Sequence, residues 1–147
     1  MKGIEIEANP FTSAFVAELR ALGDYRIDGY LSVLDALEER IADASRRIRE
    51  VAEKDEETKL LMTIPGIGYY SALLIKGEIA DINRFPNASH LVAYAGLALS
   101  THSSGGSRYL RWILAECTHV HVRRAMDSVT EFYERLAKKK GKSKATV

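Results

Sequence analysis

Two adjacent serines, Ser103 and Ser104, precede a pair of glycines and, a few residues later, two arginines, Arg108 and Arg111. A serine hydroxyl becomes a useful nucleophile when a base, a metal ion or positive charge activates it. In attack on a phosphodiester, cationic groups must also neutralise charge on the non-bridging oxygens. The segment therefore combines a nucleophile with cations. By composition alone, however, Ser-Ser-Gly-Gly is more often a plain loop, so residue types favour a loop and leave the nucleophile as the alternative.

A second candidate is the turn Ile-Pro-Gly-Ile-Gly, which ends at Gly68. A turn of this pattern between two helices is typical of helix-hairpin-helix DNA binders. Its glycines let the backbone come close to a phosphate, and the free N–H groups of the next helix face that anion. Such contacts hold the DNA backbone and read no sequence. We expect Pro65, Gly66 and Gly68 to contact DNA in this way, the alternative being an ordinary joint between helices.

Basic residues concentrate in the C-terminal half, although the net charge of the chain is only +1. This asymmetry indicates a surface that faces an acidic polymer, or else a solvated helix face with a disordered tail. The residues expected to contact DNA here are Arg108, Arg111, Arg123, Arg124, Lys138, Lys139, Lys140, Lys142 and Lys144. His119 and His121 are two apart on a predicted helix and point in different directions, so we predict no metal site there.

The elements that must position these residues are helices. Residues 30–53 contain no Gly or Pro, and apolar residues recur there at alternating spacings of three and four, the a/d pattern of a coiled coil. So narrow an apolar stripe needs a partner, either the preceding helix or a second copy of the chain. The predicted homo-oligomer seam consists of Leu34, Leu37, Ile41, Ile48 and Val51.

Further helices follow the long one. The pattern predicts one that ends near Met62, one from about Gly68 to Ile79, a short one capped by Ser89, one over residues 108–124 and a last one that starts at Asp127 or Ser128. We therefore predict an all-α fold, in which a long heptad-bearing helix precedes a compact helical domain with a helix-hairpin-helix-like turn. The predicted division is 1–58 for the N-terminal helix and coiled-coil arm, 59–137 for the compact domain and 138–147 for a basic tail.

Composition limits the class of protein. Apolar residues make up 46% of the chain, which is enough for a core, and the single cysteine, Cys117, excludes a disulfide framework. We expect Cys117 to be a buried thiol. No signal peptide and no apolar run of about 20 residues is present, so we expect a cytoplasmic protein with no membrane partner.

The motifs occur in a specific order: Pro-Gly-Ile-Gly, Arg-Phe, Ala-Tyr-Ala-Gly-Leu, Ser-Gly, Leu-Arg and a lysine-rich end. This ordered set, over about residues 60–147, resembles the C-terminal domain of insertion-sequence transposases of the IS-one-ten type, which are relatives of the Piv DNA invertases. The heptad helix resembles their coiled-coil segment. The resemblance implies DNA recombination, in some members with a structured guide RNA. It also implies a serine nucleophile that precedes a glycine, which is Ser104 here, with Ser103 as the fallback.

Two departures from that family shape the expectation. Full-length members carry an N-terminal RuvC-like domain that holds Mg²⁺, and it has no counterpart in this sequence, so we expect no cofactor in this chain. Gly106 also runs directly into Ser107, which shortens the loop that should present the nucleophile. We therefore expect a truncated transposase that binds DNA but lacks autonomous recombination activity. The alternative is a non-catalytic, self-associating module that pairs with intact transposase through its coiled coil.

Overall fold

The computed structural model describes residues 12–97 and 106–146. Within these residues the fold has α-helices and one short 3-10 helix but no strand, which confirms the all-α prediction. The helices are α1 (Ser13–Ala21), α2 (Tyr25–Ala52), α3 (Glu56–Met62), α4 (Tyr69–Ile79), the 3-10 helix (Ile82–Arg84), α5 (Ala88–Tyr94), α6 (Arg108–Arg124), α7 (Ser128–Lys140) and α8 (Lys142–Ala145).

Most helix starts follow from side chains that satisfy the first free N–H groups. Asp127 caps α7 by accepting from the N–H groups of Val129 and Thr130, each at 3.1 Å. The predicted cap of α5 was wrong, because Asn87 rather than Ser89 accepts the His90 N–H, at 3.2 Å. The lysine-rich end is helical, since it forms the last turn of α7 and then α8.

The chain divides into two compact units, Met1–Arg46 and Arg47–Val147. In the described part of the first unit, Leu31 is the buried apolar side chain, and Arg20 forms an exposed ion pair with Asp35 at 2.6 Å. The heptad residues are not covered by the described residues: Leu34, Leu37 and Ile41 are 51–64% exposed. An apolar stripe that is this open has no covering helix among the described parts of the chain.

The second unit has its own hydrophobic core, formed where α4, α5 and α6 meet. Its buried residues are Ile75, Ala95, Leu110, Ile113 and Cys117, with exposures of 1–7%. The burial of Cys117 confirms the expected buried thiol, and burial raises the pKa of that thiol. The helices α3, α4, α6 and α7 pack in sequence around this core, α3 on α4, α4 on α6, and α6 on α7.

No helix in the described residues is long and apolar enough to cross a membrane.

Candidate functional site

The hairpin between α3 and α4 lies against the backbone of α6. Gly66 has a φ of +95°, and a Cβ there would come within 2.7 Å of the Cys117 carbonyl oxygen and 2.8 Å of the His121 nitrogen. Because these neighbours are helix backbone, they cannot move aside. The lack of a side chain at Gly66 is thus explained by packing within the unit. Gly68 differs, since a Cβ there would meet nothing within 4 Å.

His121 ties the hairpin to the junction between α6 and α7. Its Nδ1 lies 2.8 Å from the Pro65 carbonyl oxygen and its Nε2 lies 3.0 Å from the nearer Asp127 carboxylate oxygen. Both partners only accept hydrogen bonds, so a protonated ring with two N–H donors satisfies both of them. The Asp127 carboxylate and the Pro65 carbonyl accordingly raise the pKa of His121. His121 is a buried histidine, with an exposure of 7%.

The residue that precedes α4, Gly68, is exposed and lies away from this packed side. Gly68 caps the helix, its N–H donates to Ser71 Oγ at 2.9 Å, and it offers no side chain that would cover the next N–H groups. Arg49 lies beside this turn, with its guanidinium carbon 5.1 Å from the centre of the Tyr69 ring. Sequence reasoning missed Arg49, because it is one of many charged residues on the heptad helix. Only the cation–π contact in the fold separates it from the rest.

The base of the hairpin is braced by ion pairs. Lys76 of α4 pairs with Asp55, the cap of α3, and its Nζ lies 2.9 Å from a Glu57 carboxylate oxygen. The Lys76 hydrogen bond lowers the pKa of Asp55 to about 2. Lys76 is therefore held in ion pairs with carboxylates, whereas the contact given for Arg49 is with the Tyr69 ring.

Ser103 and Ser104 lie outside the described residues, but the described residues on either side of them meet. The Ser107 N–H donates to the Tyr94 carbonyl oxygen at 2.8 Å, and a Cβ on Gly106 would lie 2.7 Å from the same oxygen. The chain therefore leaves α5 and returns to α6 at nearly the same point. We call these contacts of Tyr94, Gly96, Gly106 and Ser107 the stem of the serine segment.

Two arginines lie at the stem. A Cβ on Gly96, whose φ is +68°, would lie 3.2 Å from an Arg111 guanidinium nitrogen, so this predicted DNA-binding arginine is next to the stem. Arg84 stacks on the Phe85 and Tyr94 rings, at 4.6 and 4.5 Å from their centres. Arg84 was missed from the sequence because only the fold brings the 3-10 helix to this place.

Three of the predicted lysines share one cleft of about 970 Å³, which we call the lysine cleft. Leu97, the last described residue before the serine segment, is part of its wall. The complete lining is Leu97, Phe132, Leu136, Lys139, Lys140, Ser143 and Lys144. The cleft thus combines ammonium groups with an apolar floor beside the position where the serine segment begins.

The other predicted basic residues lie elsewhere. Arg123, Lys138 and Lys142 line a separate cavity of about 570 Å³ together with His119. Arg108 lines a groove between α4 and α6, and Arg124 is exposed at the end of α6. These cations therefore line cavities other than the lysine cleft or lie at the end of α6.

The described residues do not fit a Mg²⁺ site. No three His, Cys, Asp or Glu side chains within residues 12–97 and 106–146 come close enough together to hold a metal ion. No step is therefore assigned to Mg²⁺ in this chain.

Comparison with known proteins gives a consistent set of relatives. A family model described as "Transposase IS116/IS110/IS902 family" matches residues 58–134. The "Transposase for insertion sequence element IS1111A" of Coxiella burnetii is 29% identical over 124 residues, which is 75% of this chain and 34% of that protein. The "Insertion element IS110 uncharacterized 43.6 kDa protein" of Streptomyces coelicolor is 33% identical over 84 residues, 57% of this chain and 21% of that protein.

The "Pilin gene-inverting protein" of Moraxella bovis is 43% identical over 53 residues, which is 36% of this chain and 16% of that protein. The chain thus spans between 16% and 34% of the length of these relatives. No solved structure matches the chain.

Proposed function

The chain belongs to the IS116/IS110/IS902 family of transposases, and from this premise we propose that its second unit binds the sugar–phosphate backbone of DNA for recombination. The observation that carries the proposal is the lysine cleft. Three lysines, Lys139, Lys140 and Lys144, line one concave surface together with Leu97. Cations on a concave surface attract phosphates whatever the base sequence, and they fix the position of the duplex.

The location of the lysine cleft relates DNA binding to the proposed attack of a serine on the DNA backbone. Leu97 precedes the segment that holds Ser103 and Ser104, and Arg111 lies at the stem of that segment. A DNA backbone held in the lysine cleft passes close to Leu97, from which the chain continues to these serines. The lysines and Arg111 then supply the positive charge that a phosphodiester needs while it is attacked.

The hairpin offers a second backbone contact. The uncovered N–H groups at the start of α4 and the nearby Arg49 guanidinium together favour an anion. Pro65 and Gly68 are exposed on this side, whereas Gly66 packs towards α6. In this proposal Gly68 and Arg49 face the phosphate, and Gly66 sets the turn.

Ser104, with Ser103 as the fallback, is the proposed nucleophile. Its Oγ loses its proton to a base and attacks phosphorus, so a serine–phosphorus ester forms and one phosphorus–oxygen bond of the strand breaks. The released deoxyribose oxygen takes up a proton. Because one ester replaces another, the reverse attack by a new strand end rejoins the DNA.

DNA binding is tested by measuring the affinity for duplex DNA at several salt concentrations. The proposal predicts that the logarithm of the affinity falls linearly with the logarithm of salt concentration, because each phosphate contact releases counterions. We expect Arg49→Gln to make this slope shallower, with Arg20→Gln, at an exposed site in the first unit, as the control for charge. A response that does not change with salt would exclude phosphate contact as the source of binding.

The serine chemistry is tested by searching for a covalent protein–DNA adduct after adding the RuvC-like domain of an intact relative. We expect an adduct on Ser104 that Ser104→Ala abolishes and Ser103→Ala keeps. Loss with Ser103→Ala alone would assign the nucleophile to Ser103. No adduct from this chain, while the intact relative forms one, would leave both serines without this role.

A second candidate function, self-association, is favoured by the exposed heptad stripe. Leu34, Leu37 and Ile41 repeat at coiled-coil spacing and are each more than half exposed. A second copy of α2 would bury them. In this candidate the chain acts by pairing with an intact transposase.

Self-association is tested by the mass in solution of the wild type and of Leu37→Lys. The candidate predicts a dimer or larger assembly that the lysine disrupts. A control on the face opposite the seam, Glu39→Lys, should keep the assembly. A monomer in every case would contradict the candidate.

A further inference from the structure

A groove with exposed aromatic side chains runs between α4 and α6, apart from the lysine cleft and from the outer side of the hairpin. It has a volume of about 620 Å³, and we call it the aromatic groove. Its lining residues are Tyr70, Leu74, Glu78, Arg108, Tyr109 and Trp112. Leu74 also packs against the core, whereas Tyr70, Tyr109 and Trp112 are exposed and are not part of it.

The three aromatic side chains of the groove are each at least half exposed to solvent. Tyr70 is 55% exposed, Tyr109 is 61% exposed and Trp112 is 50% exposed. Large aromatic surfaces are costly to leave in water and usually mark a binding site when they cluster. Three in one groove, next to the Arg108 guanidinium, match the way in which proteins hold single nucleic-acid strands.

The charges in the groove indicate how a strand would enter. The Glu78 carboxylate lies in the lining, where it accepts a hydrogen bond from Ser107 Oγ at 2.5 Å. A carboxylate repels a phosphate but accepts hydrogen bonds from the N–H groups of a base. Arg108, at the start of α6, has the opposite charge and attracts the phosphate. A base therefore fits inside the groove, with its phosphate at Arg108.

We propose that the aromatic groove holds an unpaired base of the DNA strand that is cut, stacked against Tyr109 and Trp112. The inference rests on the proposed function, since strand exchange requires bases to leave their partners. It also rests on position, because α6 begins directly after Ser107, at the stem of the serine segment. A base that remains paired in a duplex is stacked on its neighbours and is not free to stack on these rings.

Trp112 provides the test, because it is the only tryptophan in the chain. Intact chain is titrated with single-stranded oligothymidylate while Trp112 fluorescence is recorded. We expect saturable quenching, and an affinity that falls about tenfold in Tyr109→Ala, in the range for loss of one stacking partner. Tyr109→Phe keeps the ring and should keep the affinity. Tyr25→Ala, at a 90% exposed site in the first unit, is the matched control.

Two further ligands and a series of protein concentrations make the result decisive. An abasic strand of the same length carries the same phosphates, and we expect it to bind more weakly without quenching. Equal quenching by the abasic strand, or unchanged affinity in Tyr109→Ala, would overturn the proposal. Quenching by oligouridylate but not by oligothymidylate would overturn DNA as the occupant. Quenching that rises with protein concentration alone would assign the groove to a second copy.

Duplex DNA separates this inference from the proposed function. Salt-dependent duplex binding without any quenching by single strands would overturn the groove proposal and leave the lysine-cleft proposal standing. Absence of binding to every form of DNA would overturn both. Circular dichroism of each variant should match the wild type, because the substituted side chains are exposed.

Discussion

Two apolar stripes in this chain have similar spacing and opposite environments. On α6, Leu110, Ile113 and Cys117 are 1–7% exposed, because α4 and α5 pack over them. On α2, Leu37 and Ile41 repeat in the same way but are 52% and 64% exposed. Spacing predicts a helix and its apolar face in both cases, and it does not determine what covers that face. The second unit is held by its own core, while the stripe of the first is available to a partner.

The largest expected effect on stability comes from replacing one leucine by alanine on each stripe in turn. Leu110→Ala should lower the free energy of unfolding by about 3–5 kcal/mol, because it leaves a cavity at a 1% exposed site. Leu37→Ala should change the stability of the monomer by less than about 1 kcal/mol, since the side chain is already half in water. Urea denaturation at low protein concentration measures both. Equal losses would contradict the contrast between the stripes.

The next largest effect concerns the packing of the hairpin on α6, which two glycine substitutions test through their cost in stability. Gly66→Ala should cost about 2–3 kcal/mol, because a Cβ would meet helix backbone at 2.7 Å and the residue has a positive φ. Gly68→Ala, in the same turn, should cost only about 0.5 kcal/mol as a poorer cap in open space. Thermal melts of the two variants compare them directly. A cost for Gly68→Ala as large as that for Gly66→Ala would show that the hairpin does not pack on α6 as described.

A smaller effect concerns the histidine that ties the hairpin to α6. Asp127 and Pro65 raise the folded-state pKa of His121 above its unfolded value of about 6.5. Its contribution to stability is therefore complete below about pH 6.5 and is lost as the pH rises through the folded-state pKa. We expect the urea midpoint to fall between pH 6 and pH 8.

The control for this titration is the neighbouring histidine. His121→Gln should flatten the pH dependence between pH 6 and pH 8, and His119→Gln should keep it. The range stops at pH 8 because burial raises the pKa of the Cys117 thiol, which adds a separate loss at higher pH. A midpoint that rises with pH in the wild type would contradict the assigned hydrogen bonds.

Much of the fold followed from the sequence, because its signals are local. The helix α6 occupies residues 108–124 as predicted, and Asp127 caps α7 as one of the predicted starts. The long helix begins at Tyr25, before the predicted Tyr30, because Gly29 is tolerated within it. Helical periodicity and capping depend on neighbours within a few residues, so one sequence suffices to detect them.

The arrangement of the candidate site was harder to predict from the sequence, because it depends on contacts between distant parts of the chain. The lysines at the end of α7 were predicted as cations, but their proximity to Leu97 appears only in the fold. Arg49, which stacks on Tyr69, gave no signal of its own. Gly66 was predicted to contact a phosphate. Its close packing on the α6 backbone already accounts for the lack of a side chain at this position.

The most direct test of the account compares two sets of three cations. One variant replaces Lys139, Lys140 and Lys144 by Gln, and the other replaces Arg123, Lys138 and Lys142. Both remove the same charge, so any difference reports position. Affinity for duplex DNA is measured against salt concentration for each.

The account predicts that the first variant lowers the slope of log affinity against log salt by about 2–3, since each lost phosphate contact removes about 0.9. The second variant should lower it by less than about 1. Equal slopes for the two variants, or a larger loss in the second, would contradict the claim that DNA is held in the lysine cleft.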